Sequence, residues 1–439
     1  MTATTGQTYG VVQADATLKQ VYADKIIDMC PSSHLLAEDI DFVSADKENG
    51  NYYNQPVHLS YELGLTFNSD GSPFALNKGQ SPTELNAQIR GSEIVNRVTM
   101  SYGLLNRAMK GDTSTRAGMK SFINATKYKM QALIGGMSFA REAMLLYGGG
   151  SGANSALATV SATTGSASTT LVVTVAVADW AAALWVACAS ATAGLECDIY
   201  SSGGTKRNTA GTGATTIYKL TAVDAVNYKL TFTSEAATNV ATVVATDQIF
   251  FAGSRVTGML GFIGACQTTS SFWGIDPVAN PLWKPQQTVV GGALTFEAIM
   301  QGCTKVADIG FDGKLNVYVS PAGWQDLADD QAAMINYAQK SNGKISMGFE
   351  ELQFRSQTGI IAIKAHKLMK RGLALGLPDG ECMRIGSTDI TTTMPGVGKM
   401  LRELEDTAGV EARCYTDQAP FCQKPAFMHL WSGIVNSVA

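Results

Sequence analysis

Four histidines, at positions 34, 58, 366 and 429, are the first place to look for metal or proton chemistry. No two of them stand at the spacing that a zinc site uses. His58 falls on the polar side of an alternating segment and reads as solvated or interfacial. His366 follows an apolar run, and His429 sits among Phe427, Leu430 and Trp431, so both read as core histidines with a hydrogen-bond partner. The carboxylate pairs Asp39/Asp41, Asp329/Asp330 and Glu350/Glu351 have a spacing that acid–base catalysis uses, and equally that of solvated loop and helix faces. Asp46-Lys47-Glu48-Asn49-Gly50 offers oxygen ligands but no closing glutamate at the offset of a calcium loop, and reads as a turn. No phosphate-binding loop of the Gly-x-x-x-x-Gly-Lys-Ser/Thr type occurs, and the glycine-rich run 148–152 follows a predicted helix, not a strand. A Gly-x-Ser-x-Gly elbow is also missing. Asn124-Ala125-Thr126 has the form of a glycosylation triplet but lies in mid-helix. None of the eight cysteines forms a Cys-x-x-Cys pair, and they read as reduced, mostly buried thiols. Cys414 and Cys422 are near enough in sequence to close a short loop, which spacing alone does not establish. No catalytic, cofactor-binding or metal residue is assigned, and the chain reads as a non-enzyme.

The elements around these residues explain why. The chain has 439 residues, too many for one ordinary core, so two or three domains are expected. Hydrophobic residues make up 45% and charged residues 16%, the latter well below the usual share of about 25%. Low charge with abundant Gly, Ala, Thr and Ser points to surfaces covered by neighbours. The net charge of −4 gives no basic footprint for sequence-specific nucleic-acid binding. No secretion signal and no apolar run long enough to span a membrane is present.

The most informative stretch is 52–147. Tyr53, Val57, Leu59, Tyr61, Leu63, Leu65 and Phe67 alternate with mostly polar residues, the period of a half-buried strand. Asn68-Ser69-Asp70-Gly71-Ser72-Pro73 is dense in turn formers, and Val98, Met100 and Tyr102 alternate on the way back. A hairpin of this length is marginal by itself, so it is expected to lie on another copy of the chain. Residues 113–147 predict one long helix, capped by Asp112 or Thr113. Its apolar stripe runs through Met119, Phe122, Ile123, Met130, Leu133, Ile134, Met137, Met144 and Leu145, with Arg141 and Glu142 on other faces. Gly135-Gly136 weakens it, and Gly148-Gly149-Gly150 stops it.

Residues 151–252 change character: Ala, Thr, Ser and Gly dominate. Strand signals at 173–177, 218–220, 228–232 and 248–251, with Trp180 and Trp185, predict a small all-β module; a low-complexity linker is the alternative. The flanking glycines read as hinges. Beyond 253 the pattern is mixed. It predicts a helix from Thr295 to Ile309 closed by Gly310, a strand at 315–319, and a helix from Ser320-Pro321 to about Tyr337. A hairpin around 354–363, a helical turn at 399–405 and closing strands at 410–415 and 427–431 follow.

This order of arm, long hairpin, long helix, mixed region and closing strands resembles the major capsid protein of tailed bacteriophages, whose fold is named after the Hong Kong 97 phage. Gly50-Asn51-Tyr52-Tyr53-Asn54-Gln55-Pro56-Val57-His58-Leu59 resembles the rising strand of that family's extended E-loop. Met259-Leu260-Gly261-Phe262, Phe272-Trp273-Gly274-Ile275-Asp276 and Pro281-Leu282-Trp283 resemble the crossing from peripheral to axial domain, and 315–324 its opening. Leu401-Arg402-Glu403-Leu404-Glu405-Asp406 with Tyr415-Thr416-Asp417 resembles the return. The likeness covers most of 40–150 and 253–435; the stretch between looks like an inserted domain.

The resemblance implies an α+β, HK-97-like fold. Its parts would be an N-terminal arm (1–45), E-loop hairpin (46–103), peripheral domain with spine helix (104–150), inserted β domain (151–252), peripheral domain again (253–294), axial domain (295–398) and a return to the peripheral domain (399–439). It implies a virion coat protein assembled in the host cytoplasm, as hexamers and pentamers of an icosahedral shell around double-stranded DNA without base readout. Separate scaffolding, portal and cement proteins would be partners, with no membrane and no cofactor. Tyr53, Val57, Leu59, Tyr61, Leu63, Leu65 and Phe67 would make the inter-subunit contact. Lys78, near the tip, has no identifiable Asn or Glu partner for a covalent link. An encapsulin-type compartment shell is the alternative.

Overall fold

The computed structural model describes residues 30, 34–44, 53–68, 73–102, 116–149, 155–164, 169–191, 194–207, 217–234, 242–267, 270–330, 352–356, 359–393, 401–403 and 409–437, with backbone alone for 116–127 and 352–356. Most of the N-terminal arm, the 46–50 turn, the hairpin's 69–72 tip, the caps at 112–113, Glu350/Glu351 and the stretch 331–337 lie outside these residues.

The chain enters through a short helix α1 (Leu35–Asp39) and strand β1 (Phe42–Ser44). A hairpin of β2 (Tyr53–His58) and β3 (Glu84–Ile89) follows, then the long β4 (Ser92–Ser101). The expected return strand is thus two strands. Only β3 pairs with β2, whereas β4, which carries Val98 and Met100, pairs with a strand more than 300 residues later. The spine helix α2 (Arg116–Leu146) has 31 residues and a length of about 46 Å. It runs unbroken through Gly135-Gly136; a side chain at Gly136 would press on Asn96 of β4, whose amide reaches the Leu133 carbonyl at 3.3 Å. Leu133 and Met137 face the sheet, while Ile134 is exposed. Arg141 and Glu142, expected on a polar face, are buried, because the last turns of α2 are enclosed on every side.

Six strands then close into an antiparallel barrel: β5 (Ala158–Thr164), β6 (Thr170–Val175), β7 (Glu196–Tyr200), β8 (Tyr218–Asp224), β9 (Lys229–Thr233) and β10 (Gln248–Phe251). Closure removes the unpaired edges that such short strands would otherwise expose. Leu171, Val173, Leu220, Leu230, Phe232 and Ile249 alternate inward. A helical turn α3 (Ala182–Trp185) plugs Trp185 into the core. The entry chain is not a loose hinge. Gly148, at φ +62°, bridges Leu260, and a side chain there would strike Gly261.

Past α4 (Ser254–Thr257) and α5 (Phe262–Gln267) comes β11 (Gln286–Val289). Helix α6 (Phe296–Asp308) is capped by Thr295 Oγ1, which accepts from the Ala298 N–H at 3.2 Å. Strand β12 (Leu315–Val319) leads to α7 (Pro321–Asp329), capped by Ser320 Oγ accepting from Gly323 N–H. The rest is strand: β13 (Leu352–Ser356), β14 (Gly359–Ala365), β15 (Leu373–Pro378), β16 (Cys382–Thr391), β17 (Leu401–Glu403), β18 (Gly409–Cys422) and β19 (His429–Ser432). The helical turn expected near 401 is β17, held as a strand by pairing with β18.

Two sheets organise these strands. A six-stranded mixed sheet runs β11-β19-β15-β12-β14-β13, with α6 and α7 packed on one face. A five-stranded sheet runs β1-β16-β18-β17, with β4 on the free side of β18, and packs against α2. Strand β16, placed in the axial segment, pairs in the spine-helix sheet, and β11 and β19, placed outside it, pair in the six-stranded sheet. Among the described residues, no helix is long and apolar enough to cross a membrane.

Candidate assembly surface

The base of the β2–β3 hairpin is built on its own chain. Exposure alternates along β2, and Tyr53, Val57 and Leu59 turn toward the core, Leu59 being buried. Beneath them, Phe272-Trp273-Gly274-Ile275 makes a tight two-residue turn. Phe272 and Ile275 exchange backbone hydrogen bonds of 3.1 Å, and both central residues have positive φ, 48° at Trp273 and 80° at Gly274. A tryptophan in the left-handed region is uncommon. Here its ring is wedged edge-on against Phe272 and Phe421, each 5.2 Å between centroids, and against Trp283. The Trp273 carbonyl then accepts from Gln88 N–H of β3 at 2.8 Å. The hairpin therefore leaves the body from an aromatic footing. Of the seven predicted contact residues, three are committed to it at least in part.

Beyond residue 60 the ladder stops. Residues 61–68 and 73–83 run side by side with few ties: Thr83 N–H to Ser60 Oγ (2.7 Å), Asn77 N–H to Thr66 Oγ1 (2.9 Å) and the Asn77 amide to the Leu65 carbonyl (2.8 Å). Their apolar side chains find no cover. Tyr61 is 84% exposed, Phe67 89% and Leu76 80%, with Leu63, Leu65 and Phe74 each above half. Lys78 is exposed on the same arm. A cleft of about 900 Å³ opens beside the base, lined among others by Arg90, Glu93, Trp273 and Asp417.

The histidines and carboxylates described in the structure, Glu142 among them, serve the frame. Glu142 is buried, and its carboxylate accepts from Leu36 N–H (2.6 Å) and Ala37 N–H (3.1 Å), capping α1, while it meets His366 Nε2 at 2.9 Å. Asp39 accepts from Tyr318 Oη and Lys364 Nζ, both at 2.7 Å. Asp330 accepts from Phe296 N–H at the start of α6. His429 Nε2 lies 3.0 Å from Thr288 Oγ1, and burial, helped by Lys305, pushes its pKa down to about 3. His58 is exposed, 3.7 Å from Glu84, and His34 stands 3.6 Å from Glu38. No group of acidic, histidine and cysteine side chains suited to a metal occurs among the described residues.

Composition did not reveal two buried clusters. In the first, Arg384 donates to the Ile40 carbonyl (3.0 Å), Asp389 (2.9 Å) and Gln418 (3.0 Å), while Arg141 donates to the same Asp389 oxygen at 2.8 Å. Burial works to raise the Asp389 pKa, but the two guanidiniums win and hold it below the ordinary carboxylate range. This cluster ties α2, the entering chain and the five-stranded sheet together. In the second, the barrel docks on 370–372: Arg371 N–H to Trp180 O (3.2 Å), Gly372 N–H to Ala178 O (2.6 Å), and the fully buried Lys370 Nζ 3.3 Å from Asp179. Burial lowers the Lys370 pKa against the pull of Asp179. For the first cluster the adjacent charges at 141–142, in a stretch otherwise largely apolar, are the available signal; Lys370-Arg371 follows Lys364, His366 and Lys367 and does not stand out.

No family model matches the chain, and no curated protein matches it by sequence. Solved structures do. The "Cyanophage A-1(L) capsid asymmetric unit" superposes with a TM-score of 0.55 at 10% identity, over 97% of this chain and 99% of that one. The capsid of a native GTA particle aligns with a TM-score of 0.49 at 9% identity, over 98% and 100% of the two chains, and "Mycobacterium phage Bobi" with 0.46 at 10%, also over 98% and 100%. At such identity the first of these speaks for the fold. The chain has the α+β, HK-97-like fold of a phage capsid subunit, with its extended loop, spine helix and two sheets.

Proposed function

We propose that this chain is the major capsid protein of a tailed bacteriophage, closing as hexamers and pentamers into an icosahedral shell around double-stranded DNA. The observation that carries the reading is the pair of segments 61–68 and 73–83. They form an arm on a rigid footing whose aromatic and aliphatic side chains are exposed in the single chain. Burying such residues against a second copy removes apolar area from water at about 25 cal/mol per Å², and repetition around a closed ring satisfies every copy at once. Tyr61, Leu63, Leu65 and Phe67 form the inter-subunit contact. Tyr53, Val57 and Leu59 set its angle. The role is structural, not enzymatic, and its place is the virion after assembly in the host cytoplasm. The net charge of −4 suits a wall that holds DNA without gluing it. Scaffolding, portal and cement proteins are the expected partners.

The test is electron microscopy and light scattering of the purified chain, with and without co-expressed scaffold. It is set beside a variant carrying Tyr61→Ser, Leu63→Ser, Leu65→Ser and Phe67→Ser. Rings or shells from the natural chain, and a folded variant with unchanged thermal midpoint that stays monomeric, are expected. Undiminished assembly of the variant overturns the contact, and a natural chain monomeric in both conditions overturns the function. Particles holding a cargo enzyme in place of DNA would mark an encapsulin-type shell.

A further inference from the structure

Strands β16 and β18 run antiparallel with Cys382 directly opposite Cys422. The type of this pair can be read from its neighbours. Gln423 N–H donates to the Glu381 carbonyl at 2.9 Å, so the 381/423 pair carries ladder bonds. Alternation then leaves the next pair, 382/422, without them. Two further residues agree. Pro420, opposite Arg384, has no N–H to give, and the Arg384 N–H points the other way, to Asp41 O beside β1 at 2.8 Å. At a non-hydrogen-bonded pair the Cα atoms approach to about 4.5 Å with side chains on one face, inside the window of about 4.4–6.8 Å that a disulfide needs. Both residues are free thiols, and Cys266 of α5 belongs to the same buried core. Cys414, eight residues from Cys422 on the same strand, lies roughly 26 Å away along it and cannot bond to it.

We propose that Cys382 and Cys422 are a latent covalent cross-link site, closed by exchange with a small-molecule disulfide of the glutathione type. Cys382, 8% exposed where Cys422 is 0%, is the entering thiol. Its thiolate attacks one sulfur of the small disulfide, whose S–S bond breaks, and one thiol leaves with the proton that Cys382 gave up. The Cys422 thiolate then attacks the Cys382 sulfur of the mixed disulfide and expels the second thiol. Two protons and two electrons pass from the protein to the small disulfide, which is reduced to two thiols. Burial holds the Cys382 thiol well above its ordinary pKa, so the first step is slow near neutrality and quickens with alkali. The product fixes residues 383–421 as a closed loop and locks β16 to β18, the two strands that span the sheet behind the spine helix.

The experiment uses the full chain, incubated with oxidised glutathione over a range of mildly alkaline pH, then denatured, alkylated and mapped by peptide mass. We expect two of the eight thiols to be lost, a single linked peptide joining Cys382 to Cys422, no retained glutathione, and a rate rising about tenfold per pH unit below the thiol pKa. The oxidised chain should show a raised thermal midpoint. Cys266→Ala should cross-link as the natural chain does, and Cys382→Ala should not. Mapping of the natural chain decides the matter whatever the variants do. Glutathione left on Cys382, a linked peptide containing Cys266, or alkylation of all eight thiols would each overturn the proposal.

Discussion

Glu142 shows how much one side chain can carry. It satisfies two backbone N–H groups of α1 and one face of His366, all away from water. Glu142→Ala leaves those three donors unpaired in the core, so we expect a loss of about 3–5 kcal/mol, measured as a lower denaturation midpoint. Glu142→Gln, which keeps one carbonyl acceptor, should lose less. His429 predicts an acid limb. Its pKa is about 6.5 when unfolded and about 3 when folded, because the buried ring resists charging. A group depressed in this way contributes fully above the unfolded value and progressively less as pH falls toward the folded one. The natural chain should therefore lose about 1.4 kcal/mol per pH unit between pH 6.5 and 3, relative to a His429→Gln variant that keeps a partner for Thr288. Denaturation midpoints of the two chains across that range check the sign; parallel curves would remove His429 from the account.

At the scale of the element, helix α6 lies against β19 through a missing side chain. A Cβ on Gly302 would collide with the Trp431 ring, whose indole N–H donates to Ala298 O at 2.9 Å. Intrinsic propensity favours Gly302→Ala by about 1 kcal/mol, whereas overpacking costs about 1–3 kcal/mol. The collision involves a fully buried ring, so net destabilisation is expected, visible as a fall in thermal midpoint. Caps of this kind were legible in the sequence: Thr295 before α6 and Ser320-Pro321 before α7 announced both helices, because capping is local chemistry. The barrel strands with alternating Val, Leu, Tyr and Phe were legible for the same reason. Strands β5 and β7 were not, since Ala, Ser and Thr at 158–164 and a lone Ile-Tyr end at 199–200 carry little periodic contrast. The partner of the hairpin's return is not legible in the sequence, because alternation reports a strand but not what it pairs with. Val98 and Met100 look alike whether they pair with β2 or with β18. Burial of Arg141 and Glu142 was hidden too, for helical periodicity assumes a solvated face that the end of α2 does not have.

At the scale of the whole molecule, the barrel is part of the body. Its Trp180, Leu184 and Trp185 share one continuous core with the end of α2 and with Leu368, Met369 and Leu373. Lys370 is fully buried between Asp179, 3.3 Å away on the barrel side, and the Tyr147 ring at the end of α2. Replacing 153–251 with a short Gly-Ser linker should therefore leave an insoluble chain, or one with a markedly lower thermal midpoint. A soluble product unfolding cooperatively at the natural midpoint would show that the barrel is a detachable ornament.

The sheets also dictate when the chain can fold. Arg384 bonds to Ile40 across 344 residues, β1 pairs with β16, and β11 pairs with β19 near the far end of the sequence. The five-stranded sheet cannot close before β18 is made, nor the six-stranded one before β19, and such distant pairings fold slowly. A nascent chain stopped before β19 can pair only four of those six strands, β15-β12-β14-β13, with β11 left without its partner and Trp431 missing from the core. Pulse-labelled synthesis should show protease resistance arriving late and all at once, after β19 has left the ribosome. In the proposed shell, the exposed side chains of 61–68 and 73–83 would then meet only subunits whose sheets are already closed, so the order of synthesis itself would set the earliest moment of assembly.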